Sequence, residues 1–238
     1  MNSTNLKIKI YSDGADSSEM VSAAKKGVVS GFTTNPTLMK KSGVTDYEVF
    51  AKDVLSKITD LPISFEVFSD DFESMEKEAV KISSWGDNVY VKIPVTNTKG
   101  VSSVPLIKTL SRKGLKLNIT AILTLEQVQA LCDAFDENTS SIISVFAGRI
   151  ADTGRDPVPY MKNAKRILNS KPKLELLWAS SREVLNIIQA EECGCDIITV
   201  TNDLLKKLSM FGKDLKELSL DTVKMFYNDA ESVGYKIL

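Results

Sequence analysis

Eight short runs of branched, aromatic and long aliphatic residues recur along the chain, and a helical pattern follows each one. The runs cover residues 7–13, 28–35, 62–68, 89–95, 116–122, 141–147, 173–180 and 196–200. Such runs, separated by amphipathic segments, mark βαβ units. Residues 73–83 show the intervening pattern: Met75, Ala79, Val80 and Ile82 fall on one side and charges on the other. Residues 125–135 and 182–190 behave alike, and a last helix is expected over 218–233. Eight strands, each followed by a helix, is the order of a (β/α)8 TIM barrel, here with an additional C-terminal helix. A doubly wound open sheet shares the alternation, but no G-x-G-x-x-G follows the first strand. The chain of 238 residues is 43% hydrophobic, enough for one sizeable core. No linker divides it, so a single domain over 1–238 is expected, with 218–238 as C-terminal helix and tail.

Composition removes several function classes. Thirty basic residues stand against 31 acidic ones, with no basic stripe for nucleic acid. No apolar stretch reaches the ~18 residues of a membrane span, and no secretory signal opens the chain. The cysteines are Cys132, Cys193 and Cys195, an odd count that suits a reducing cytoplasm. Cys193-Gly194-Cys195 lacks a second pair, and the chain has no histidine. Two small core residues are the simpler reading, and neither a metal nor a cofactor is expected. Without histidine, acid–base work falls to Lys, Asp, Glu, Tyr, Cys or bound water.

Barrel chemistry sits at the C-terminal ends of the strands. Read in order, those ends carry Asp13, then Thr33, Thr34 and Asn35, then Glu66, Lys92, Asn118 with Thr120, Ser144 with Phe146 and Arg149, and Ser180 with Arg182. Lys92 is the most informative, because it interrupts the apolar run "VYVKIPVT". It could face water from an edge strand, pair with a buried carboxylate, or lose its proton and act as a nucleophile. A closed barrel has no edge. A free lysine titrates near ~10.4, and burial lowers that value. The neutral amine can form a Schiff base, and the protonated imine then accepts the electrons of a breaking carbon–carbon bond. Asp13 and Glu66 are the carboxylates placed to move protons. Ser180, Ser181 and Arg182 lie where strand seven turns into its helix, and Arg149 follows strand six. Both places suit a phosphate. Arg149 could instead pair with Asp152 or Asp156.

Five stretches, "GFTTNPTLM", "VYVKIPVT", "LNITAILTLEQ", "SVFAGRIADTGRD" and "LLWASSREV", together resemble the transaldolase family, particularly its short single-domain members. The resemblance spans nearly the whole chain. It implies Lys92 as the Schiff-base lysine. Asp13 would handle the proton of the donor hydroxyl. Glu66 would work with a water held by Thr120 in forming and hydrolysing the imine. Asn35 and Asn118 would bind sugar hydroxyls, and Thr33, Ser144 and Phe146 would line the substrate pocket. Arg149, Ser180 and Arg182 would hold the phosphate.

The family has two activities: transfer of a dihydroxyacetone unit between sugar phosphates, and aldol cleavage releasing free dihydroxyacetone. Glu66 and Phe146 resemble the transferases, since the aldolases carry glutamine and tyrosine there. A non-catalytic sugar-phosphate-binding barrel is the reading from another class. Departures from the family pattern are "SVFAGR" for the usual "SPFVGR", Ser181 for a bulky residue, and Gly14 for threonine. The resemblance also implies a homo-oligomer. Leu220, Val223, Phe226, Tyr227 and Val233 form an apolar stripe that could pack on its own barrel or on a partner.

Overall fold

A computed structural model describes residues 6–237. They divide into two units, one over Lys7–Leu205 and one holding Leu6 and residues 206–237. In the first unit the strands are β1 (Lys9–Asp13), β2 (Gly31–Thr33), β3 (Ile63–Glu66), β4 (Val89–Pro94), β5 (Leu117–Ile122), β6 (Ser141–Val145), β7 (Leu174–Trp178) and β8 (Ile197–Thr201). Each pairs in parallel with the next, and β1 closes on β8. The chain is a closed eight-stranded parallel barrel with helices between the strands, as the eight runs predict.

Closure decides where each side chain goes, because alternate residues of a strand point to opposite faces. In β4, Val89, Val91 and Ile93 are buried on the helix side. That parity sends Tyr90, Lys92 and Pro94 into the barrel. The same rule turns Ser64 and Glu66, Asn118 and Thr120, and Ile142 and Ser144 inward. Lower in the barrel the inward residues are mainly apolar: Tyr11, Ile142, Leu177, Ala179 and Ile197 pack together, with Tyr90 and Phe146 against them. The polar site therefore rests on an apolar floor.

Several boundaries differ from the sequence expectation for local reasons. β2 is short because Asn35 caps the helix Pro36–Lys41, its side chain accepting from Leu38 N–H at 3.0 Å. β6 stops at Val145 because the helix Ala147–Asp152 follows at once. The predicted 182–190 helix starts at Leu185, since the Asn186 side chain draws in the N–H groups of Arg182 and Glu183. The helix Phe72–Ser83 buries Met75, Ala79 and Ile82, but Val80 is 47% exposed, the neighbour of Ala79 that the helical turn carries off that face. A reciprocal Thr124–Gln127 capping box starts the helix Leu125–Ala134. Cys132, Cys193 and Cys195 are all free and buried, which accords with the core reading.

In the second unit the helix Leu215–Val233 is capped by Asp214 and closed by Gly234 in the left-handed conformation. It buries none of its residues; Leu220, Val223, Phe226, Tyr227 and Val233 are exposed. No helix among the described residues is long and apolar enough to cross a membrane.

Gly31 pairs in register with Tyr11, and a Cβ at position 31 would lie 2.5 Å from the Tyr11 ring. Gly31→Ala is expected to lower the unfolding free energy by about 1–3 kcal/mol through overpacking. Chemical denaturation checks this, and a wild-type midpoint would mean that the ring can move aside without cost.

Candidate active site

The strand register assembles the centre of the site. Glu66 pairs with Lys92 across β3–β4, and Lys92 with Asn118 across β4–β5. Lys92 is only 7% exposed. Its ammonium donates to the Thr34 carbonyl at 2.9 Å, and Glu66 Oε2 lies 3.1 Å away. That carboxylate oxygen is buried and is aligned with no hydrogen-bond donor. Thr120 Oγ1 is likewise buried without a partner. Both atoms belong to residues that line the same cavity, of about 420 Å³.

Asp13 stands at the mouth of β1. The Thr33 hydroxyl donates to its Oδ1 at 2.8 Å, and Thr199 Oγ1 is 2.6 Å from Thr33 Oγ1. Burial pushes the Asp13 carboxyl above the usual aspartate range, while the charge of Lys92 and hydrogen bonds from Thr33 and Asn35 oppose the rise. Asn35 uses its amide oxygen as a helix cap.

The far side of the cavity is built by β6 and β7. Ser180 has φ of +63°, uncommon for a residue with a Cβ. Gly148 makes this possible, since a Cβ there would fall 1.6 Å from the Ser180 carbonyl oxygen. Arg149 follows directly, its guanidinium 5.7 Å from the centre of the Phe146 ring. It forms no ion pair among the described residues. Arg182 instead pairs with Asp152, and that bond holds the Asp152 carboxyl below its usual range. The sequence left Asp152 as a possible partner for Arg149; the structure gives it to Arg182.

Lys92, Asp13, Glu66, Thr120, Asn35, Thr33, Ser144, Phe146, Arg149 and Ser180 all line the cavity. Two expected residues do not. Asn118 lies beneath Thr120, fully buried, where its amide donates to Ser64 Oγ at 2.9 Å and accepts from Ser144 Oγ at 2.6 Å. Arg182 is outside the lining and engaged by Asp152. Thr199 was missed. Its signal was available, as a polar residue with inward parity inside the apolar run of β8.

A larger groove of about 620 Å³ runs past Leu123, Ile150, Arg155 and Tyr160. It contains no buried titratable group, so chemistry favours the smaller cavity. Among the described residues no cluster of three or more Cys, Asp or Glu side chains could hold a metal.

The sequence matches the family described as Transaldolase/Fructose-6-phosphate aldolase over residues 10–237. The chain belongs to that family. Relatives include a probable transaldolase 2 of Listeria monocytogenes, 36% identical over 202 residues, covering 84% of this chain and 88% of the relative. A probable transaldolase of Thermoplasma volcanium is 36% identical over 204 residues, covering 84% and 87%. Two solved structures share the barrel. KGPDC from Streptococcus mutans gives a TM-score of 0.57 at 12% identity, covering 85% of this chain and 91% of that one. An aldolase designated QR15 gives 0.57 at 14% identity, covering 89% and 96%. At such identities the likeness concerns the fold alone.

Two outcomes follow from this geometry. Gly148→Ala should push the Ser180 backbone aside and lower the unfolding free energy by about 1–3 kcal/mol, as chemical denaturation would show. An unchanged midpoint would mean that the two chain segments can separate without cost. Thr33→Val takes away a hydrogen bond that favours the Asp13 carboxylate, so the acid limb of kcat/KM should move to higher pH. A limb that stays in place would mean that another group controls it.

Proposed function

We propose that this family member is a transaldolase that transfers a three-carbon dihydroxyacetone unit from a ketose phosphate to an aldose phosphate. One observation carries the reading: a buried amine, Lys92, 3.1 Å from a carboxylate oxygen of Glu66, lines one cavity with a second carboxylate, Asp13, and an unpaired arginine, Arg149. A site that only binds sugar phosphate has no need of the amine.

Proton transfer from Lys92 to Glu66 frees the amine to attack the C2 carbonyl. The carbinolamine loses water to become a protonated imine. Glu66 Oε2 and Thr120 Oγ1, neither of them engaged in a hydrogen bond, are suited to guide that water in both directions. Asp13 then takes the proton of the C4 hydroxyl. The C3–C4 bond breaks, its electrons pass into the imine, and an aldose phosphate leaves while the enamine stays on Lys92. Attack of the enamine on an acceptor aldehyde reverses these steps. Arg149 and Ser180 supply the phosphate contacts.

Phe146 supports transfer over release. A phenyl ring has no hydroxyl to direct water or a proton at the enamine, so the enamine waits for an aldehyde. We also propose a homo-oligomer in the cytoplasm. Exposed Leu220, Val223 and Phe226 support the first part, and three unpaired cysteines support the second.

Incubation with fructose 6-phosphate, borohydride reduction and mass mapping should find a three-carbon adduct on Lys92. Lys92→Arg should form none and lose transfer by at least ~10⁴-fold while folding normally. Without acceptor, release of free dihydroxyacetone should be slow compared with transfer. Normal transfer by the variant would end the Schiff-base reading, and fast release would replace transferase by aldolase.

A further inference from the structure

We propose that Tyr47 is a positioning residue for Glu66. The inference rests on the Schiff-base reading above and adds a residue to it. Tyr47 begins the helix Tyr47–Lys57 and lies outside the cavity lining. Its hydroxyl accepts from the Glu66 main-chain N–H at 2.6 Å and donates to the Glu66 carbonyl at 3.0 Å. A single phenol thus ties both main-chain polar groups of the residue that carries the carboxylate beside Lys92.

The ladder explains why such a clamp is needed. On the β2 side, Phe32 N–H donates to the Pro62 carbonyl and Thr34 N–H to the Ser64 carbonyl. The next donor in this series would be residue 36, which is proline and has no N–H. The next acceptor, the Thr34 carbonyl, already receives the Lys92 ammonium. β2 therefore ends one step too early to hold Glu66. On the other side the ladder continues, with Val67 N–H donating to the Lys92 carbonyl. Without Tyr47, both main-chain polar groups of Glu66 would be unpaired, and β4 would hold only its neighbour Val67.

Packing does not account for the hydroxyl. The Tyr47 ring meets Phe65, Phe68 and Trp85 at centroid distances of 6.1, 4.6 and 5.5 Å. A phenylalanine would make the same ring contacts. Burial pushes the Tyr47 pKa up, which keeps the proton that the carbonyl requires. The phosphate contacts lie across the cavity on the β6–β7 side, so loosening Glu66 should leave substrate affinity alone and slow imine formation.

The test is the rate of borohydride-trappable adduct formation on Lys92 with fructose 6-phosphate, in wild type, Tyr47→Phe, Glu66→Gln and the double variant. Amide hydrogen exchange at Glu66 is measured in parallel. Tyr47→Phe should trap about ten- to a hundredfold more slowly, with KM within about twofold of wild type. In the Glu66→Gln background the same change should cost less than about twofold, because the group it positions is already lost. The Glu66 amide should exchange faster without the phenol. Wild-type trapping by Tyr47→Phe, or an equal loss in both backgrounds, overturns the assignment. A wild-type protein that forms no adduct, yet loses Glu66 amide protection in Tyr47→Phe, overturns the Schiff-base reading and retains the clamp.

Discussion

A buried ammonium beside a partly buried carboxylate is the constraint on which the rest of this barrel depends. A charge removed from water needs a partner, and stranding one member of such a pair typically costs about 3–5 kcal/mol. Lys92 points inward because Val89, Val91 and Ile93 claim the helix side of β4. Once it is inside a closed sheet, its partner must come from a neighbouring strand. The pairing of Glu66 with Lys92 and the Thr34 carbonyl supply that surrounding. A slip of one residue in β3 would turn Glu66 outward and leave the amine unpaired.

The site divides around the ring of strands. From β1, β3, β4 and β5 come the ionisable groups and a hydroxyl that share one cavity: Asp13, Glu66, Lys92 and Thr120. From β6 and β7 come the groups suited to a phosphate, and they depend on backbone geometry as much as on charge. Gly148 admits the Ser180 carbonyl, and Phe146 faces the Arg149 guanidinium. Because the net charge is only −1, the whole chain contributes little field, and the charge at the cavity is set by these local groups. Asp152 forms its ion pair with Arg182, and Arg149 reaches it only through a longer-range attraction.

Much of this was legible in the residue order. The eight strands follow from runs of branched and aromatic residues, and the inward position of most site residues follows from parity within those runs. Lys92, Glu66, Thr120 and Thr199 each read as a polar residue at an inward position of an apolar strand. Chain ends of elements were less legible, because single side chains set them: Asn35 as a cap shortens β2, and Asn186 delays the start of its helix.

The sequence alone determined the barrel, its polar interior and the residue types of the site, because alternation and turn chemistry act over a few residues. The tertiary structure decided what lies between residues distant in the chain. It gave Asp152 to Arg182, 30 positions away, and closed the Asn118 amide between Ser64 and Ser144. It also placed the Tyr47 hydroxyl on the main chain of Glu66. Each of these depends on where side chains meet once the ring has closed, and a hydrogen bond fails with a shift of less than an ångström, far finer than any sequence pattern resolves.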